Sequence, residues 1–163
     1  MNNSKLLADG IADAFDWLDQ VTAGITPEQY AYQPDGTTNR IDHLHAHTLA
    51  SADFWMNLMA MQKPMVWMTF SQKAGLPSNW IEIWKHEGEI KLADMQDYAA
   101  QLRACLPTVE ALDESALERE LTVPFFGKRD VAFVLRLAGM QCAIHTGEIS
   151  AAKGLQGLQG LPF

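Results

Sequence analysis

The chain has 163 residues and a mass of 18.1 kDa, a length that reads as one domain over residues 1–163 with a sizeable core. Charged residues make up 20% of it and interrupt every apolar run, which excludes a bilayer span. A net charge of -8 and a pI near 4.9, with twelve scattered Lys and Arg, exclude a nucleic-acid surface.

Met1-Asn2-Asn3-Ser4-Lys5 runs straight into an amphipathic pattern without an apolar signal core, so a cytoplasmic protein is expected. Residues 5 to 23 place Leu6, Leu7, Ile11, Ala14, Phe15, Leu18 and Val21 at helical steps, predicting a first helix with one buried face. Thr26-Pro27-Glu28-Gln29 combines an N-cap, a proline at the first helical position and a Gln three residues after the cap. It predicts one short turn packed down by Tyr30 and Tyr32.

Pro34-Asp35-Gly36 turns, Thr38 or Asn39 is expected to cap, and Arg40 to about Gln62 runs without a breaker as the second helix. Its side bearing Leu49, Ala52, Met56 and Met59 is also apolar, so it is expected either in its own core or against another subunit. Residues 64 to 90 mix Pro64, Gly75, Pro77 and Gly88 with Trp67, Phe70, Trp80 and Trp84. They read as a long, partly ordered connection whose aromatics cover the helices.

A third helix is expected from Lys91 to about Leu112, kinked by Pro107. Leu121 to Phe126 reads as extended, Gly127-Lys128-Arg129 as a turn, and Asp130 as the cap of a last helix stopping at Gly154. Four long helices with one long crossover between the second and third predict an all-α four-helix bundle. Cys105 and Cys142, without CxxC spacing, read as reduced, half-buried thiols.

Four of the five histidines fall in two distant runs, His43-Leu44-His45-Ala46-His47 and the stretch around His145. At the helical turn angle His43 and His47 share the core stripe, whereas His45 lies about 160 degrees away and is expected to face solvent or a partner. On the last helix Gln141, His145 and Glu148 share a stripe of otherwise small or apolar residues. Buried polar groups without partners cost about 1 to 3 kcal/mol each, so such a stripe calls for a reason. A metal, a hydrogen-bonded network and a wet pocket all supply one. His43, His47 and His145 offer three imidazoles, the set an open zinc-type site takes, with Glu148 as a supporting acceptor or base.

Thr38-Asn39-Arg40-Ile41 leading into a helix, His47 six residues on, Trp55, the long crossover and His145 followed by Gly147-Glu148-Ile149 together resemble the DinB family of DinB/YfiT-like metalloenzymes. The resemblance covers nearly the whole chain. It implies a four-helix bundle, commonly dimeric, with one histidine from the second helix and an HxxxH pair from the fourth holding a divalent metal such as zinc or nickel. His47 and His145 match two of these ligands; Gln141 stands where the first histidine of the pair is expected. A neutral amide is a weaker partner for such ions than imidazole. Three outcomes stay open: a loosely held metal, His43 as a replacement ligand, or a pocket that has lost the metal.

By the same resemblance the chemistry is thiol-dependent S-transfer or hydrolysis of a small molecule, with a low-molecular-weight thiol as partner and Glu148 assisting proton transfer. Arg40, Lys85, Lys128 and Arg129 are available for the carboxylates of an anionic thiol. The competing expectation is a non-catalytic dimeric bundle that binds a small ligand or partner. His86, alone in the crossover, carries no expectation.

Overall fold

The structure is a computed structural model that describes residues 3–36 and 39–161. Among these residues the protein is mostly helical, with eight α-helices, one π-helical and one 3-10 segment, and a two-stranded hairpin. The first helix, α1 (Asn3–Thr22), buries Ile11, Ala14, Phe15, Leu18 and Val21, while Leu6 faces outward. The capping box forms as expected: Thr26 Oγ1 accepts from Gln29 N at 3.3 Å and Gln29 Oε1 accepts from Thr26 N at 2.9 Å. It opens α2 (Pro27–Tyr30), which Tyr30 holds down.

The histidine-bearing helix, α3 (Ile41–Asp53), passes without a break into a π-helical segment, Phe54–Ala60. The expected cap Thr38 lies outside the described residues. Asn39 does not cap, and Arg40 takes the N-cap position without a side-chain bond. Instead Asp42, in the first turn, accepts from His43 N at 2.8 Å and holds the Arg40 guanidinium, so a carboxylate meets the positive helix end from inside the helix. Leu49, Ala52 and Met56 are fully buried. This apolar side of the helix lies largely in the chain's own core, with Met59 half-buried.

Residues 64 to 90 are more ordered than expected. They hold α4 (Trp67–Ala74), ended by Gly75 in the left-handed conformation (φ 68°), and a 3-10 helix, Trp80–Lys85, capped by Asn79. Pro107 does not kink a long helix: α5 (Leu92–Arg103) stops before it, and Pro107 sits in the first turn of a separate α6 (Leu106–Glu110). Proline lacks the N–H that an interior turn needs but is tolerated at a helix start. After α7 (Glu114–Glu118), β1 (Glu120–Val123) pairs antiparallel with β2 (Gly127–Asp130). The turn is therefore Pro124-Phe125-Phe126, and Gly127 to Arg129 belong to a strand.

Asp130 Oδ1 accepts from Phe133 N at 2.6 Å and starts α8 (Val131–Leu155). The long helices α1, α3, α5 and α8 enclose the core, and α8 packs along both α1 and α3. Cys142 is buried and Cys105 half-buried, both free thiols. No helix is long and apolar enough to cross a membrane, among the described residues.

Candidate functional site

Packing α3 against α8 brings the two distant histidines together. The His47 and His145 rings meet edge-on with centroids 5.1 Å apart. Trp84 and Trp80 of the 3-10 helix lie over His47 at 4.3 and 5.2 Å, and Phe54 supports Trp80 at 5.7 Å. The crossover thus forms an aromatic roof over an imidazole pair. Burial, and then the proximity of His145, push the His47 pKa down to about 4, so the ring is neutral at physiological pH. His47 Nδ1 is buried and has no hydrogen-bond partner.

The neighbouring polar groups divide into those that join the pair and those that do not. His145 Nδ1–H donates to Glu148 Oε2 at 2.7 Å across one helical turn. This bond selects the tautomer that leaves Nε2 as the acceptor. Gln141 is half-buried one turn before His145, and its amide is bonded to no other described group. His43 is spent elsewhere: its Nε2–H donates to the His86 carbonyl at 2.9 Å, tying the far end of the roof to α3. Burial lowers its pKa.

His45 corrects the helical-wheel expectation. It is fully buried, bonded through Nδ1 to Tyr30 Oη at 2.8 Å, and its pKa is pushed down to about 3 by burial. The wheel placed it opposite His47 as expected, but α2 covers that side. Of the anion-holding candidates, Arg40 is committed to Asp42 and Lys128 to Glu120 on the hairpin. A cleft of about 600 Å³ between Tyr30, Arg40 and Ile90 does not include the imidazole pair.

A second polar cluster on α3 carried no expectation. Asp53, fully buried, accepts from Asn57 Nδ2 at 2.7 Å, Trp67 N at 2.8 Å and Tyr98 Oη at 2.6 Å. Burial raises its pKa while these donors oppose the rise. Trp67 Nε1 in turn donates to the Pro77 carbonyl at 3.0 Å, three residues before Trp80. The roof is therefore pinned at both ends, by Trp67 on entry and His43 on exit. An aspartate four residues before an asparagine in the apolar run from Leu49 to Ala60 was the available signal.

The donor set falls short of the three-imidazole centre. It contains two imidazoles and a neutral amide, and the fourth candidate, His43, has its Nε2–H on a carbonyl. Among the described residues no three His, Cys, Asp or Glu side chains are arranged to hold a metal ion. Among the described residues His47 Nδ1 is one of three buried side-chain atoms without a hydrogen-bond partner, with His45 Nε2 and Ser71 Oγ.

The model of the DinB superfamily matches residues 12–149. A crystal structure titled as a conserved protein from Enterococcus faecalis is similar in fold, with a TM-score of 0.78 at 15% identity, covering 95% of this chain and 97% of that one. No curated protein matches the chain. With a family match over most of its length, and His47 of α3 and His145 of α8 meeting edge-on within that helical frame, the chain belongs to the DinB superfamily.

Proposed function

We propose that this chain acts on a small molecule through His47, His145 and Glu148, without a tightly held metal. The observation that carries the reading is the edge-on approach of the two rings at 5.1 Å, with His47 Nδ1 buried and unpartnered beneath Trp80 and Trp84. We read α1, α3, α5 and α8 as the four members of a bundle, a reading supported by the packing of α8 along α1 and α3 and of α5 against α3. Glu148 holds His145 in the tautomer whose Nε2 accepts a proton, the arrangement of a general base with its orienting carboxylate. Its proton donor is a thiol or a water, so S-transfer and hydrolysis are the two reaction classes. A low-molecular-weight thiol is the partner of the first.

A divalent zinc or nickel ion, held by His47 and His145 with only the Gln141 amide to complete the set, is weakly bound and dissociable. Elemental analysis of untagged protein after gel filtration is expected to give well under one equivalent of any transition metal. Turnover of a thiol with an aryl-halide electrophile is expected to persist in chelator and to fall in His145→Ala and Glu148→Ala. A full equivalent of metal, or turnover abolished by chelator, contradicts the proposal.

A second reading, a non-catalytic ligand-binding bundle, is favoured by one observation: Trp84 packs against the His47 ring with centroids 4.3 Å apart. Tryptophan fluorescence that responds to a thiol with no turnover decides for it.

A further inference from the structure

The cleft of about 600 Å³ at the start of α3 lies apart from the imidazole pair, and the reading of that pair does not bear on it. Its volume falls within the roughly 300 to 1,000 Å³ that holds a small ligand. Ile25, Tyr30 and Ile90, all buried, line it together with Pro27 and Leu92. Most of its wall is therefore apolar.

One group sets the polar chemistry. Arg40 lines the cleft with its side chain 19% exposed, and Asp42, 1% exposed, holds it through Nε at 3.0 Å and through Nη2. Asp42 Oδ1 also accepts from His43 N at 2.8 Å, so this carboxylate already takes three N–H groups and has little left to offer a ligand. The guanidinium has the reverse balance. Two of its nitrogens are fixed in the fork, and Nη1 bonds to no other described group. A guanidinium held rigid on one edge gives up little further freedom when a second edge binds a planar oxyanion.

The other charges of the cleft stand on its exposed wall: Lys91, which pairs with no carboxylate among the described residues, and Glu87 and Glu89. Water and salt screen exposed charges, so the half-buried Arg40 decides the sign of the group taken inside. Glu87 and Glu89 decide how many charges the ligand carries. A second carboxylate would meet them at the rim, and an ammonium drawn to that rim would meet Arg40 within.

We propose that this cleft binds a small monocarboxylate with an apolar body, its carboxylate on the Nη1 edge of Arg40 and its apolar part against Ile25, Tyr30 and Ile90. Titration of the isotope-labelled full chain with octanoate, followed through backbone amide shifts, tests the proposal. Shifts are expected at residues 40–42 and 87–93 and not across residues 141–148. 1-Octanol, octylammonium and octanedioate are each expected to bind about tenfold more weakly or worse. Arg40→Lys keeps a cation for Asp42 but removes the second edge, and Ala93→Trp fills the cleft from an exposed position. Each is expected to weaken octanoate about tenfold or more, whereas His145→Ala leaves its binding unchanged. The ligand series and Ala93→Trp decide the matter even if Arg40→Lys does not fold. No shifts at millimolar octanoate, an alcohol, amine or dicarboxylate that binds as tightly, binding indifferent to either folded cleft variant, or binding lost in His145→Ala overturns the proposal.

Discussion

Two buried polar clusters lie on the same continuous helical stretch, and they are satisfied very differently. Asp53 sits where α3 becomes π-helical, and its carboxylate takes three donors at 2.6 to 2.8 Å. Six residues earlier, His47 keeps a buried nitrogen without a partner and meets His145 edge-on across the interface with α8. The first cluster is a finished joint that anchors α4, α5 and, through Trp67, the start of the roof. The second leaves one ring nitrogen unpaired. A closed network stabilises, whereas an unpaired buried atom carries a cost that packing elsewhere must offset, a cost that His47 Nδ1 shares with His45 Nε2 and Ser71 Oγ.

The sharpest way to break the comparison is to open the closed cluster. Asp53→Ala strands three donors, and urea unfolding is expected to show a loss of about 3 kcal/mol. A loss no greater than that of an exposed substitution would mean the joint is not a joint.

Acid is the next largest lever, through His45. Its folded pKa of about 3 lies below the 6.5 of the free side chain. The unfolded chain therefore binds the proton first, and the folded state loses stability as pH falls from 6.5 toward 3. At pH 5 the loss from this group is about 2 kcal/mol. His45→Asn, which keeps an acceptor toward Tyr30, is expected to flatten the difference between unfolding midpoints at pH 7 and pH 5. An unchanged pH slope would remove His45 from the account.

A smaller effect is expected from His43→Ala, which frees the His86 carbonyl. Stability falls by about 1 kcal/mol, and amide exchange rises across residues 80–86 with little change in α8. Exchange unchanged in the roof would show that the bond at 2.9 Å does not hold it. Glu148→Gln has the smallest expected effect on stability, below about 0.5 kcal/mol, because the carboxylate is half-exposed. Under the proposed function its effect is expected instead on thiol turnover.

The meeting of His47 and His145 was legible because both obey helical periodicity on stripes otherwise filled with core residues. The capping box at Thr26 and the Asp130 cap were legible for the same local reason. Tertiary covering was not. His45 lies where the wheel puts it, opposite His47, but nothing in its own helix announces that Tyr30 of α2 would close over that side. His43 shares the His47 stripe, yet a backbone carbonyl 43 residues away in sequence takes its Nε2–H. Trp80 and Trp84 read as covering aromatics, and only the pinning at Pro77 and His86 reveals what they cover. The β-hairpin escaped because Gly127-Lys128-Arg129 carries turn chemistry while the tip falls on Pro124-Phe125-Phe126, with Phe125 in a backbone region that residues of its type rarely adopt.

Convergence of positions 47, 141 and 145 on one interior point is the central claim, and Gln141→His tests it most directly. Restoring the third imidazole is expected to bring zinc or nickel binding close to one equivalent by elemental analysis, with that binding lost when either His47 or His145 is changed to alanine. A variant that takes up no metal, or one whose metal survives the loss of either histidine, would contradict it.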